Sequence, residues 1–498
     1  MQIARGAGSI PTGSACCGRK RHDIIFPRAD SLKSRGAAQN AAPQLDEEIS
    51  VEELDILHRA LGSRLVIEAA EVAKYARDSS RELAMGTAQA VVLAESTVDV
   101  SAALSWANAA KVPVSVRGAG TGLAGGAVAY EGGLIISLER MNRILSLDVP
   151  NRLAVVEPGV ITADLDAAAH QHGLFFPPDP ASARTSTIGG NIATNAGGLR
   201  CVSHGVTSDA IAALEVVLAD GRVMHTGAQT RKNVVGFDLT SLLVGSEGTL
   251  GVITAATVRL KPVAPGTPRT FRASFPTLES AGDAVTAIVN GAAQPEVLEL
   301  MDALSVEVVE SYFPSGLVVP AGAMLVGQTV GLDAQAKAAA ITQTCLDAGA
   351  DEVEISESDS LLEARRLSNP ALNARGLKLS CDVGVPIAAL SEVFRGIGEI
   401  SRQHGLRVST VAHAGDGNLH SAVEALDTPE GIRAADAVLD DITRLAFSLG
   451  GTISGEHGIG SVKRHELPWQ LDAVTLDVQR AIKRALDPHG ILTPDRAI

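Results

Sequence analysis

Apolar residues recur along this chain in short runs broken by glycine and polar clusters. AVVLAES (90–96) is a continuous apolar run with polar flanks, which predicts a buried strand. EEISVEELDILHRALG (47–62) and VDVSAALSWANAAKV (98–112) carry helical spacing, and VPVSV (112–116) predicts another buried strand. Up to about residue 262, β-branched runs alternate with glycine clusters; RLAVVEPGV (152–160), AIAALEVVLADGRVMHTG (210–227) and TLGVITAATVRLKP (249–262) are the clearest strands. PVAPGTPRT (262–270) marks a domain boundary.

Beyond it the pattern changes. TFRASFP (270–276), EVLELMD (296–302), MLVGQTVG (324–331) and DEVEIS (351–356) predict strands. TLESAGDAVTAIVNG (277–291) and residues 334–348 predict helices between them, the signature of an α+β domain. LDAVTLDVQRAIKRALDPHGILTP (471–494) predicts a helix and a Pro/Gly tail, and no solenoid repeat is visible.

The formal net charge over 498 residues is −15. The first 45 residues hold seven Lys/Arg and two Asp, leaving 35 basic against 55 acidic residues in the rest. That balance argues against nucleic acid as a partner, and no apolar stretch is long enough for a membrane span. The first 45 residues lack a signal-peptide core and predict a disordered extension. Cys16, Cys17, Cys201, Cys345 and Cys381 are odd in number and scattered, which fits a reducing cytoplasm better than a disulfide framework.

Candidate chemistry begins at RGAGTGLAGG (117–126). Gly120, Gly122 and Gly125 satisfy GxGxxG, and Glu139 stands where a ribose-binding acid would. A Rossmann site also needs a helix directly after the glycines, whereas GAVAYEGG follows. The loop therefore reads as a nest of backbone N–H groups for an anion. PPDPASARTSTIGGNIATNAGGLR (177–200) and DLTSLLVGSEGTLGVIT (238–254) are two more loops rich in small donors, a set suited to a long polar ligand.

AHAGDGNLH (412–420) brackets Asp416-Gly417, a favoured two-residue hairpin turn. Such a turn sets His413 opposite His420, with Cβ atoms roughly 4.5–5.5 Å apart. Two imidazoles so placed can share a divalent ion, or form a cross-strand pair without one; for the hairpin alone the second reading is simpler. GGTISGEHGIGSVKR (450–464) adds Glu456 and His457, whose side chains point to opposite sides of an extended chain. One can face a metal while the other faces a substrate.

RGAGTGLAGG, PPDP, TIGGNIATNAGG, KNVVGFDLT and GSEGTLGVIT resemble, in order, the FAD-binding half of the vanillyl-alcohol-oxidase-type flavoproteins. AHAGDGNLH and SGEHGIG resemble the C-terminal half of the branch containing the glycolate oxidase flavin subunit, D-lactate dehydrogenases and D-2-hydroxyglutarate dehydrogenase. The resemblance spans roughly residues 50–498. It implies an α+β fold: a disordered 1–45, a two-subdomain FAD domain over 46–264, a ferredoxin-like substrate domain over 265–470, and a tail, 471–498, returning to the FAD domain. It implies FAD contacts at Arg117, Gly118, Ala119, Gly120, Thr121, Gly122, Gly125, Gly126, Pro178, Ser182, Gly189, Gly190, Asn191, Thr194, Gly198 and Ile253. The first loop has no histidine, so the FAD is expected to be non-covalent.

The same resemblance implies a divalent metal on His413, His420 and Glu456, with Zn²⁺ the expected ion. It makes His457 the catalytic base and Arg365 the anchor of a substrate carboxylate. The implied activity is oxidation of a D-2-hydroxy acid by hydride transfer to flavin. The electrons pass on to a cytochrome, quinone or flavoprotein, in the cytoplasm or against the inner membrane, and a homodimer or partner subunits are compatible with this. Asn369, Ser380 and Ala422 depart from the hydroxyglutarate branch at substrate-contact positions, which favours D-lactate or glycolate. Two rivals are a same-fold transferase resembling alkylglycerone-phosphate synthase and a flavin-free metal hydrolase or binding protein.

Overall fold

The computed structural model describes residues 51–80, 86–314 and 316–498. The extension expected over 1–45, with Cys16 and Cys17, lies outside them. Ala90–Leu93 is buried throughout and sits in a four-stranded sheet, ordered Leu65–Val66, Ala90–Leu93, Leu134–Ser137, Val114–Arg117. The last three strands are parallel. Parallel strands need a crossover, and the helix Thr97–Ala110 makes it, capped by Ser96, whose side chain accepts from the Asp99 N–H.

A five-stranded antiparallel sheet follows, ordered Ile144–Asp148, Leu153–Val156, Val252–Arg259, Ile211–Val217, Val223–Gly227. RLAVVEPGV contributes only Leu153–Val156, because the chain turns out of the sheet at Pro158, where the Gly159 N–H donates to Met141 O at 2.7 Å. TIGGNIATNAGG is also not all loop. Ile188–Thr194 is a helix, with Thr187 capping the Gly190 N–H and Asn195 closing it at φ 52°. Glycine disfavours helix, so these caps and the burial of Ile188 and Ile192 decide it.

The third large sheet has seven antiparallel strands, ordered Glu352–Ser356, Arg269–Phe275, Ala323–Thr329, Val297–Asp302, Val408–His413, Asn418–Glu424, Lys378–Gly384. Helices Leu278–Val289, Ala334–Asp347, Leu390–His404 and Pro429–Ser448 pack on one face through Val285, Ile341, Phe394 and Ile442. Ala303–Tyr312, Ser360–Arg366 and Ser368–Arg375 cover part of the other. The chain end returns to the first sheet, where the Val114 N–H donates to Ile491 O and the Thr493 N–H to Val114 O. The fold is thus α+β, with antiparallel pairing dominant.

Candidate active site

The hairpin that carries the two histidines turns differently from the sequence expectation. Residues 414–416 form a 3-10 turn and Gly417 follows at φ 71°, so four residues rather than two make the loop. A Cβ on Gly417 would lie 2.2 Å from Val385 O, so the turn also needs glycine for space. His413 therefore pairs with Asn418, and His420 with Val411. The shift is two residues, which preserves the face. The histidines become diagonal neighbours, ring centroids 5.2 Å apart at 87°.

Each histidine has a carboxylate across the adjoining strand. Asp382 pairs directly with His420, its Oδ1 3.7 Å from Nδ1. One step beyond the Leu300–Ala412 pair, Glu299 Oε1 lies 2.8 Å from His413 Nδ1. Glu299, His413, His420 and Asp382 thus form a row across four strands. The Glu299 carboxylate on His413 Nδ1 fixes that tautomer and leaves Nε2 for a metal, while His420 Nδ1 makes no hydrogen bond. The Nε2 atoms of His413 and His420 lie 3.4 and 3.2 Å from Glu456 Oε1.

Burial opposes charge on His413, but Glu299 and Glu456 outweigh it and raise its pKa to about 10. Burial also opposes charge on Glu456, yet His413 and His420 hold its carboxyl well below the usual range. This point therefore favours positive charge, as a proton or a cation. Two imidazoles and one carboxylate suit Zn²⁺ or a similar divalent ion, and these three residues could hold one.

The loop bearing Glu456 and His457 is folded around Asp382. Its Oδ2 accepts from the N–H groups of Gly455, Glu456 and His457 and from Ser454 Oγ, all at 2.9 Å. Asn418 Nδ2 donates to Oδ1 at 2.7 Å. Burial would raise the Asp382 pKa, but His457, Lys463 and His420 hold it far below the ordinary carboxyl value. The His457 ring stacks on His420, centroids 5.0 Å apart at 18°. Burial lowers its pKa, with Asp382 opposing, so the imidazole is neutral near pH 7.

Arg365 and Arg366, adjacent on one helix, go to different places. Arg366 reaches Asp179 of the PPDP motif at 2.7 Å. Arg365 is buried, with Nε 3.0 Å from Glu299 Oε2 and Nη2 without a hydrogen-bond partner. Lys378, on the same strand face as Asp382, donates to Asn369.

The first half of the chain meets this row directly. A Cβ on Gly197 would lie 2.4 Å from Glu456 Oε2, so a larger residue there would displace that carboxylate. Glu247 accepts from the Ile459 and Gly460 N–H groups, both at 2.8 Å. Arg117 ends its strand with Nε unpaired; Gly118, Ala119, Gly120, Thr121, Gly122, Gly125 and Gly126 follow as irregular chain, with no helix before Leu134. Gly189, Gly190, Asn191 and Thr194 lie on the short helix, while Pro178, Ser182 and Gly198 lie in the segments flanking it. Asn191 Nδ2 is engaged by Thr162 Oγ1 at 2.7 Å, and Ile253 packs in the core.

Between the first loop and that helix lies a cavity of about 340 Å³, lined by Ala119, Glu139, Gly159, Val160, Ile161 and Thr187 among others. Ala119 of the first loop and Thr187 at the start of the short helix meet at this cavity, where backbone N–H groups of a loop and a helix start suit phosphate oxygens.

Residues 88–227 match the FAD binding domain family, and residues 265–497 match the family described as FAD linked oxidases, C-terminal domain. The chain belongs to the FAD-linked oxidases. It is 38% identical to glycolate oxidase subunit GlcD of Bacillus subtilis over 82% of this chain and 88% of that one. It is 40% identical to D-lactate dehydrogenase of Archaeoglobus fulgidus over 82% and 91%. Its fold resembles p-cresol methylhydroxylase with substrate bound, at TM-score 0.74 and 18% identity over 90% and 96% of the two chains. Alkyldihydroxyacetonephosphate synthase follows at 0.72 and 18% over 89% and 86%.

This FAD-linked oxidase is an FAD-dependent oxidoreductase. Among its described residues, no helix is long and apolar enough to cross a membrane. Cys201, Cys345 and Cys381 are free thiols. The sequence reading does not single out Glu299, Asp382, Thr187 or Glu247, and it sets Glu139 aside with the Rossmann fingerprint. One signal was available: Glu299 interrupts the apolar strand VLELMD, every residue of which is buried.

Proposed function

We propose that this oxidase converts a D-2-hydroxy acid, D-lactate or glycolate first, to the 2-oxo acid, passing electrons to an acceptor other than NAD. The observation that carries the reading is the Arg365 Nη2 donor, buried and unpaired beside the Glu299–His413 pair. A buried guanidinium with an unused donor is suited to a carboxylate. The names of the relatives point to the same substrate class.

Arg365 binds the carboxylate and orients the α-carbon. Neutral His457 accepts the hydroxyl proton. Asp382 holds the His457 backbone in place, and Glu299 orients the His413 imidazole. Bound FAD, on the glycine loop and the Ile188–Thr194 helix, supplies the hydride acceptor. His413, His420 and Glu456 would hold a divalent cation, which would supply Lewis-acid polarisation of the hydroxyl. Lys378 is engaged by Asn369, and Ser380 and Ala422 offer no long polar group for a second carboxylate, which disfavours hydroxyglutarate.

The test is anaerobic mixing of the FAD-loaded enzyme with D- and L-lactate, glycolate and D-2-hydroxyglutarate, following flavin bleaching. D-lactate or glycolate should bleach it fastest. If no 2-hydroxy acid does, the reading fails.

A further inference from the structure

A second group of ligand-type side chains converges beside the segment that carries Glu456 and His457. Asp440 comes from the helix Pro429–Ser448, and His465 and Glu466 from the turn Arg464–Glu466. One ligand atom from each lies within 4.8 Å of the other two. The His465 ring is held edge-on against Trp469, centroids 6.0 Å apart.

Glu466 is the unusual member. It is 6% exposed, and its Oε2 has no hydrogen-bond partner. A buried carboxylate oxygen without a donor is costly, and a second carboxylate beside it adds repulsion. Two cations stand nearby, and both are committed elsewhere. Lys463 Nζ donates to Asp382 O at 2.6 Å and Ile453 O at 2.5 Å. The Arg444 guanidinium lies 3.8 Å from the Trp469 ring centroid.

We propose that Asp440, His465 and Glu466 hold a divalent cation of the zinc class. Two carboxylates and an imidazole are donors such an ion takes, at about 2.0–2.2 Å each, leaving a position for water. Tetrahedral ligand atoms at those distances stand about 3.3–3.6 Å apart, so the three side chains would close in on the ion. The His465 side chain is 62% exposed, so closing the remaining distance requires only that it leave its edge-on contact with Trp469. The ion would clasp the helix Pro429–Ser448 to residues 464–466. Lys463 already ties that segment to Asp382 O, and Asp382 orders the Glu456–His457 loop. The site is therefore structural, with no contact to the redox chemistry.

The test counts zinc. FAD-loaded wild type, His465→Gln, Asp440→Asn and His413→Ala are stripped with a chelator, equilibrated with Zn²⁺, desalted and measured by elemental analysis, with flavin content and circular dichroism checking the fold. His465→Gln and Asp440→Asn should each hold one equivalent per chain fewer than wild type and lose part of the zinc-dependent rise in melting temperature. Their flavin content should be unchanged. Equal zinc in wild type and both variants overturns the proposal. So does a wild type whose zinc is entirely removed by His413→Ala. The difference between wild type and His465→Gln is read whether or not the His413 site binds metal, so this proposal and the catalytic reading fail separately.

Discussion

Asp382 Oδ2 lies 2.9 Å from the backbone nitrogen of His457, and the same oxygen accepts from the two preceding N–H groups. One buried carboxylate therefore sets the position of both His457, the proposed base, and Glu456, the proposed ligand. Asp382→Asn keeps the shape, removes the charge and turns an N–H₂ group toward one set of donors. Metal affinity should fall about 10–100-fold, as for other groups that orient metal ligands, and kcat should fall with it. Metal titration and single-turnover flavin reduction measure both; unchanged values would remove Asp382 from this role.

His457→Gln should lower the rate of flavin reduction about 10²–10⁴-fold, the usual contribution of a positioned base. Burial lowers the His457 pKa below its ordinary 6.5. The base form then persists as pH falls through 6.5, so the acid limb of kcat/KM should lie below that value. An acid limb of the same position and depth in His457→Gln would assign the proton transfer to another group.

Arg365→Lys retains a charge beside Glu299 but cannot make two parallel bonds to a carboxylate. KM for the hydroxy acid should rise about tenfold or more, with FAD content unaffected. Steady-state kinetics on D-lactate or glycolate decide this. A KM equal to that of wild type would show that the carboxylate binds elsewhere.

Chelation should abolish flavin reduction while leaving FAD bound, and a divalent ion should restore it. His413→Ala should be inactive, and added metal should not rescue it, because the remaining imidazole and carboxylate are too few for a stable site. Full activity in either the chelated enzyme or the variant contradicts a catalytic metal.

Asp302 tests a pH effect on stability away from the site. Burial raises its pKa from 3.8 to about 6, against the Ser305 and Thr410 groups that donate to it. The folded state then binds a proton between about pH 4 and 6 that the unfolded state has lost. Stability from this group is therefore present below pH 4 and declines as pH rises through 6, by about 3 kcal/mol. Denaturant melts of Asp302→Asn should lack that decline; parallel pH profiles in wild type and variant would rule it out.

Much of the site was readable in part. The apolar runs located the strands, and AHAGDGNLH and SGEHGIG nominated three ligand-type residues and a base. The hairpin register differs from the sequence expectation by two residues, because a 3-10 turn gives the same local composition as a two-residue turn. The difference is even, so the faces of His413 and His420 survive it. Helix Ile188–Thr194 was hidden because three of its neighbouring positions are glycine or asparagine, and its stability comes from capping and burial.

What the sequence by itself determined is local: periodicity, turn chemistry, three glycine-rich segments and which residue types stand beside them. The tertiary structure decided what each residue meets. Arg365 and Arg366 are neighbours in sequence, yet a helix sends them to Glu299 and Asp179. Glu299 and Asp382 flank the histidine pair only because strands Val297–Asp302 and Lys378–Gly384 are placed on either side of the hairpin. Strand order is a long-range outcome of burying both faces of the sheet, and no local pattern encodes it.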